Sequence, residues 1–508
     1  MRPLLRKPRG VELAGLAILS AWVAAWIWLG RYALLDDALI HLRFAHLLLR
    51  TGFLSFDGVT PSYGSSSPLF VGLLAVLAAL DRGPLLPKLV SVVFYLLLLA
   101  ITCVRASRSA RHRPLWLLLV VTLGSPMALR WLTDGMETSL TAALAAVLAL
   151  VALERNPGRS NPLWLLGFGA VLALTRIELC LGIFFAVLGA APLLPVRHLA
   201  RRHLPLALGG LASLALLVAL FGHVLPDTAL AKQAAPSTYA EAAMQVGRSS
   251  AASLTLGLGL ALLWLATLLW GLLKSEPRGR SALALCNLLL PCTIAIIARR
   301  GQILHGVRYL IWIYVFLIFW NLRLLDHPGD DTSESPTTRT QPRRYRALAG
   351  IAAAAILLAW VFEAPAVARI LDQRNRMFLA MRSEHLERLK ATTGAGFDIG
   401  FIAFFTQGRI LDFSGLVNGR RLAALSSEER LRVLAAAQPE FLYVTAEQAS
   451  SLARSLDLNS YRISYRYLAA TLTQKQEYFL ALRGDRQRLL GAAPGPPLAT
   501  AAARSFSR

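Results

Sequence analysis

Long apolar blocks are the feature of this sequence that most restricts its fold. Eleven blocks of about 15 to 22 residues have uncharged interiors, and a helix of roughly 20 residues crosses a hydrocarbon core of about 30 Å. Of the 508 residues, only 16% are charged, whereas soluble domains are about 25% charged. We therefore predict an α-helical multi-pass membrane protein with spans at 11–30, 87–104, 114–130, 138–153, 162–177, 179–196, 204–222, 252–273, 281–298, 308–325 and 347–364.

Basic residues gather in short segments between these blocks. The net charge of +24 would suit a nucleic-acid partner, but clustering in loops follows the positive-inside rule of membrane proteins. Placing every cluster in the cytoplasm puts the N-terminus inside, the C-terminal region outside, and residues 68–80 along the outer interface. The clusters are Arg2, Arg6, Lys7 and Arg9; Arg105, Arg108, Arg111 and Arg113; Arg197, Arg201 and Arg202; Lys274, Arg278 and Arg280; Arg339, Arg343, Arg344 and Arg346.

The chain changes character after residue 365. Strand-like runs at 401–405 and 440–444 alternate with an amphipathic helical pattern at 428–437, which indicates a small mixed α/β domain. The predicted parts are a membrane domain at 1–365 with an outer loop at 31–86, a flexible cytoplasmic loop at 327–346, an extracytoplasmic α/β domain at 366–490 and a disordered tail at 491–508.

A second set of polar residues falls outside the cytoplasmic loops. Ionisable groups at a membrane boundary are costly and are usually functional. Carboxylates and cations are both present, as a general base and a phosphate site would require. In the predicted topology all of them lie on the outer face: Asp36, Asp37, His41, Arg43, Tyr63, Ser65, Ser66, Ser67, Asp134, Glu137, Arg176, Glu178, Asp227, Lys232, Arg299, Arg300, His305 and Arg308.

Eight short segments that contain many of these residues, or lie in the C-terminal region, resemble one family in their order along the chain. They are Asp36–Ala45, Tyr63–Phe70, Gly135–Thr138, Leu174–Glu178, Leu225–Lys232, Gly306–Leu310, Asp398–Ala403 and Leu411–Leu416. The series resembles the GT-C glycosyltransferases, and among them the mycobacterial terminal β-arabinofuranosyltransferases and their uncharacterised bacterial relatives. The chain departs from that pattern at Pro61–Gly64, Ile177 and Asp227, so the sugar need not be arabinose.

This resemblance implies an inverting enzyme of the bacterial plasma membrane. It would move a sugar from a polyprenyl-phosphate donor to a cell-envelope glycan, lipid or protein outside the cytoplasm. Such a reaction needs a carboxylate to take the proton of the acceptor hydroxyl and fixed cations for the leaving phosphate. The base candidates are Asp36 and Asp37, the phosphate candidates are Arg308, Lys232 and Arg176, and the other substrate-binding candidates are Arg43, Tyr63, Glu137, Glu178 and His305.

The sequence favours Asp36 over Asp37 as the base. Asp36 follows the first span directly and lies seven residues before Arg43, which could orient its carboxylate; Asp37 lies four residues before His41. No metal-ligand spacing demands a cation, although the adjacent carboxylates could bind a divalent ion.

Each of these side chains also has a structural interpretation. Asp36 or Asp37 could cap the helix that runs to about residue 50, and Glu137 could interact with a helix dipole. Arg176 could be an interfacial anchor. A transporter or flippase of envelope lipids, without transferase activity, is the alternative function, and a non-catalytic scaffold is another.

The charge asymmetry of the loops predicts the orientation of the chain. A reporter fused after Ala366 should be active only outside the cytoplasm, and one fused near Arg108 only inside, because the basic clusters remain cytoplasmic. Paired reporter fusions that work on opposite sides of the membrane measure this, and the reverse pattern would contradict the topology.

Overall fold

The computed structural model describes residues 10–80, 82–109, 112–154, 161–232, 237–300, 307–326, 343–470, 475–491 and 495–500. His305, the predicted flexible loop up to residue 342, and residues 492–494 and 501–508 of the predicted tail lie outside these ranges. Within them, a long helical part precedes a five-stranded sheet.

Seventeen α-helices make up the helical part in the described ranges. They are α1 Gly10–Leu29, α2 Asp36–Thr51, α3 Pro68–Ala78, α4 Leu86–Arg108, α5 Arg113–Leu123, α6 Pro126–Leu132, α7 Thr138–Ala152, α8 Pro162–Thr175, α9 Leu179–Ala190, α10 Val196–Phe221, α11 Asp227–Ala231, α12 Tyr239–Ala251, α13 Gly259–Lys274, α14 Pro277–Asn287, α15 Leu289–Arg300, α16 Ile311–Leu325 and α17 Arg343–Ser383. A π-helical turn, Leu254–Leu258, precedes α13, and a 3₁₀ turn, Val307–Tyr309, precedes α16.

Helices occupy all eleven predicted spans, but the count of eleven crossings is not confirmed. Among the described residues, five helices are long and apolar enough to cross a membrane, and α5 with α6, bent by 68°, makes a sixth candidate. The other predicted spans correspond to shorter apolar helical segments of 10–17 residues, which for α1 is the part Ala17–Leu29. Helix α3, predicted to lie along the interface, has 11 residues, which is too short for a span.

Helix α16 lies in the centre of the helical part. Helices α7 and α16 pack against each other, and α16 is buried on nearly all sides, including Phe316, Trp320 and Asn321. Enclosure by other helices accounts for the apolar residues on every side of this helix.

The sheet confirms the predicted mixed α/β region. Its strand order is β2-β1-β3-β5-β4, with β1 parallel to β2 and β3, and β5 antiparallel to β3 and β4. The elements are β1 Thr393–Gly396, α18 Gly400–Thr406, β2 Arg409–Asp412, α19 Arg420–Ala423, α20 Ser427–Ala436, β3 Phe441–Thr445, α21 Ala446–Leu452, β4 Tyr461–Ala470 and β5 Lys475–Arg483.

Two predicted elements of this region are correct and one is wrong. The patterns at 440–444 and 428–437 correspond to β3 and α20, but the run 401–405 lies in helix α18 rather than in a strand. A short apolar run does not distinguish a buried strand from a buried helix. Of the predicted disordered tail, residues 495–500 pack on the sheet, where Leu498 is fully buried.

The sheet region and helices α2 and α3 share one hydrophobic core. Phe44 of α2 and Phe70 of α3 lie in the same buried cluster as Phe378 of α17, Ile402 of α18 and Tyr443 of β3. Helix α17 continues through the predicted domain boundary at residue 365 to Ser383. The C-terminal region is therefore packed against α2 and α3 and not only joined to them by the chain.

The close contact between α8 and α10 predicts a stability difference between two glycines. A Cβ atom on Gly169 would overlap the carbonyl oxygen of Leu206, whereas one on Gly167 meets nothing within 4 Å. Gly169→Ala should therefore destabilise the protein by about 1–3 kcal/mol through overpacking, and Gly167→Ala should not. Thermal unfolding of the detergent-solubilised variants measures this, and equal melting temperatures would contradict the packing.

Candidate functional site

The first turn of α2 directs its two carboxylates to different partners. The carboxylate of Asp36 accepts hydrogen bonds of 2.8 Å from the backbone amides of Gly400 and Phe401, at the start of α18. A Cβ on Gly400 would overlap the backbone oxygen of Asp36. Burial and the nearby Asp398 raise the pKa of Asp36 to about 8, against the opposing effect of the two amides. Asp36 therefore links α2 to the C-terminal region.

Asp37 instead forms an ion pair. Its Oδ2 lies 2.7 Å from Nη2 of Arg308, which also donates to the Tyr309 hydroxyl at 3.0 Å. Burial alone would raise the pKa of Asp37, but Arg308 and Lys232 outweigh it and hold that pKa well below its usual range. Asp37 is therefore an ionised carboxylate beside two cations.

Lys232 reaches the same place from the end of α11. The carboxylate of Asp227, at the start of α11, accepts a hydrogen bond from the backbone amide of Tyr63 at 3.1 Å, and the amide of Asp227 donates to the carbonyl of Tyr63 at 2.8 Å. These bonds attach α11 to the loop before α3. Within the described part of the chain, the Lys232 ammonium has no hydrogen-bond or ion-pair partner.

A second charged cluster surrounds Glu137, the residue before α7. Its carboxylate lies 3.3 Å from Arg176 Nη1 and 3.3 Å from His41 Nε2, and it accepts a 3.1 Å hydrogen bond from the Ser66 hydroxyl. Arg176 also pairs with Glu178 at 3.0 Å. Two carboxylates thus neutralise Arg176, which leaves it less suited than Lys232 to hold a phosphate.

Both clusters line one cavity of about 360 Å³, which is within the size range of small-ligand sites. Its charged and polar lining includes six residues predicted from the sequence to act in catalysis or binding. These are Asp37, Glu137, Arg176, Glu178, Lys232 and Arg308.

Three other predicted site residues are placed elsewhere. Asp36 and Tyr63 do not line the cavity; Tyr63 stacks on Phe221, with ring centroids 4.6 Å apart. Arg43 does not orient Asp36, because its Nη2 donates to the Gly408 carbonyl at 3.0 Å. His305, the remaining candidate, is not among the described residues.

Several lining residues were not selected from the sequence as site residues. His41 and Ser66 belong to the outer polar set but were not assigned to the site, and Tyr309, Leu416 and Val417 carry no charge that marks them. For Leu416, the sequence signal that could have marked it as a site residue was its place in Leu411–Leu416, one of the segments that resemble the glycosyltransferase family. In the described ranges, no group of three or more His, Cys, Asp or Glu side chains could hold a metal ion.

No protein-family model matches the chain, and no curated protein matches it in sequence. The solved structures that match its fold include two of ArnT from Cupriavidus metallidurans. The structure bound to undecaprenyl phosphate has a TM-score of 0.54 at 12% identity, over 92% of this chain and 98% of that one. The apo structure has a TM-score of 0.53 at 13% identity, over 95% and 100%. The likeness shows that the chain shares the fold of ArnT, and it leaves the arabinofuranosyltransferase resemblance untested.

The contacts of Asp36 predict a role in stability. Asp36→Ala should lower the free energy of unfolding by about 1–3 kcal/mol, because the amides of Gly400 and Phe401 lose their partners. Asp36→Asn retains one acceptor oxygen, so its free energy of unfolding should fall by less than that of Asp36→Ala. Thermal unfolding in detergent measures both, with Asp372→Ala, a half-exposed residue of α17, as the matched control. Equal stability of Asp36→Ala and Asp372→Ala would contradict the assigned contact.

Proposed function

We propose that this protein is an inverting membrane glycosyltransferase that takes its sugar from a polyprenyl-phosphate donor. The observation that carries the proposal is the group formed by Asp37, Arg308 and Lys232, one carboxylate beside two cations in a cavity of about 360 Å³. The same fold in ArnT binds undecaprenyl phosphate, which supports a lipid phosphate as the ligand here.

Lys232 and Arg308 are the proposed phosphate ligands. The Lys232 ammonium has no hydrogen-bond or salt-bridge partner among the described residues, and Arg308 uses Nη2 for both Asp37 and Tyr309, so donor groups remain on each cation. The negative charge on the phosphate increases as the glycosidic bond breaks. Fixed cations therefore stabilise the transition state more than the bound donor.

Asp37 is the proposed general base, and Asp36, favoured by the sequence, is reassigned to positioning. The acceptor hydroxyl attacks the anomeric carbon, Asp37 takes its proton, and the polyprenyl phosphate leaves with the electrons of the broken bond. The Arg308 ion pair makes Asp37 a weak base without donor. A phosphate that draws Arg308 away would raise the basicity of Asp37 when it is needed.

The cluster around Glu137 is the proposed sugar site. Carboxylate oxygens of Glu137 and Glu178 can accept hydrogen bonds from sugar hydroxyls, while Arg176 keeps both carboxylates in place. Of the positions that depart from the arabinofuranosyltransferase pattern, Gly64 and Ile177 line the cavity. The sugar can therefore differ from arabinofuranose, which stays one candidate among others.

Transfer from a labelled donor tests the function. The purified protein, reconstituted in liposomes, is incubated with radiolabelled polyprenyl-phosphate pentoses and hexoses and with envelope membranes of the source organism as acceptor. We expect label to move to the envelope with one of these donors. Movement of intact donor across the bilayer without transfer would instead support the flippase alternative.

Substitution of the proposed base and substitution of a proposed phosphate ligand should change turnover and donor binding differently. Asp37→Asn should lower turnover roughly 100- to 10,000-fold, which is the contribution of general-base catalysis. Undecaprenyl-phosphate affinity should be retained or increased, because Arg308 no longer has to leave a carboxylate to meet the phosphate. Lys232→Ala should lower both turnover and undecaprenyl-phosphate affinity, since it removes a phosphate contact. Transfer rates and binding titrations measure this, with Asp372→Asn and the exposed Lys390→Ala as controls. Full activity of Asp37→Asn would contradict the assignment.

A further inference from the structure

The loop after β2, residues 412–418, forms part of the cavity wall although it belongs to the sheet region. Leu416 and Val417 line the cavity, and its other described lining residues all precede residue 310. The loop touches the segment before α3 directly: a Cβ on Gly64 would lie 2.7 Å from Val417 Cα and 2.9 Å from the Leu416 oxygen. The C-terminal region thus completes a site that is otherwise built by the helical part.

Hydrogen bonds fix the shape of this loop. The buried carboxylate of Asp412 accepts from the amides of Ser414 at 2.8 Å and Leu416 at 2.5 Å. The Asn418 side chain accepts from the Asp412 amide at 2.6 Å and donates to the Ile410 carbonyl at 3.1 Å. Gly415 has φ +72°, a conformation that other residues rarely adopt. The loop is therefore a preformed surface.

A second anchor holds the loop from the side of α20. Arg430 donates to the carbonyl oxygens of Ser414, Leu422 and Leu425. The adjoining helix α19 packs on α11, and Gly419 lies against the Pro61 carbonyl. The loop is thereby seated on both segments that carry the proposed donor site, the chain before α3 and the helix that ends at Lys232.

We propose that Leu416 and Val417 form the acceptor-facing wall of the cavity and select the acceptor by shape. This inference rests on the proposed function. The donor carries its polyprenyl chain in the bilayer, so its phosphate and sugar meet residues of the helical part. An acceptor that arrives from outside meets the wall supplied by the sheet region. Two apolar side chains offer no charge to a phosphate, and they fit a hydroxyl-bearing acceptor that presents an apolar face.

Widening this wall tests the inference. In the full-length protein, Leu416→Ala with Val417→Ala should raise the half-saturating amount of envelope-membrane acceptor about 10-fold, because apolar contacts of this size carry about that discrimination. The half-saturating concentration of the polyprenyl-phosphate donor and the affinity for undecaprenyl phosphate should stay within about twofold. Because Val417 is also part of the buried core, folding of the variant is checked separately, by thermal unfolding and size-exclusion elution in detergent. Leu431→Ala, a partly buried residue of α20 outside the cavity, is the matched control.

Each outcome separates the inference from the proposed function. An unchanged acceptor requirement, or an equal change for donor and acceptor, would overturn the acceptor-facing role while leaving the transferase proposal intact. Loss of undecaprenyl-phosphate binding in a wall variant that unfolds and elutes like the wild-type protein would also overturn it, since the wall would then serve the donor. Absence of transfer by the wild-type protein would overturn the proposed function, and this inference with it.

Discussion

The carboxylate of Asp36 holds the two parts of this protein in register. Its two 2.8 Å hydrogen bonds to the start of α18 join α2, which carries Asp37 and His41, to the region that carries the loop 412–418. Because Asp36 and Asp37 are adjacent on a helix, they point in different directions. The Asp36 carboxylate joins α2 to α18, and the Asp37 carboxylate faces the cavity.

The cavity brings together two groups of charged side chains. Arg176 pairs with the carboxylates of Glu137 and Glu178, and His41 lies 3.3 Å from Glu137, so the first group has more carboxylates than guanidinium groups. Asp37, Arg308 and Lys232 instead form a group with one more cation than carboxylate. A local excess of positive charge attracts an anion, and a phosphate supplies one. The contacts around Glu137 thus set the shape of the site, and the group of Asp37, Arg308 and Lys232 sets its preference for a ligand.

The sequence predicted what depends on local pattern and missed what depends on tertiary contacts. The apolar blocks predicted where the helices lie, because the spacing of apolar residues along a helix can be read directly from the sequence. The choice between Asp36 and Asp37 required knowledge of α18, more than 360 residues away along the chain. The run 401–405 became a helix rather than a strand for a related reason, since the Asp36 carboxylate caps its first turn. Leu416 and Val417 are ordinary apolar residues, so their residue types do not mark them as site residues. Their place in the folded structure shows that they line the cavity.

A structure determined with undecaprenyl phosphate tests the central claim most directly. The account predicts a phosphate within hydrogen-bonding distance of the Lys232 ammonium and the Arg308 guanidinium, with the contact between Arg308 and Asp37 longer than its present 2.7 Å. A phosphate bound elsewhere on the protein, with that ion pair unchanged and Lys232 still without a partner, would contradict it.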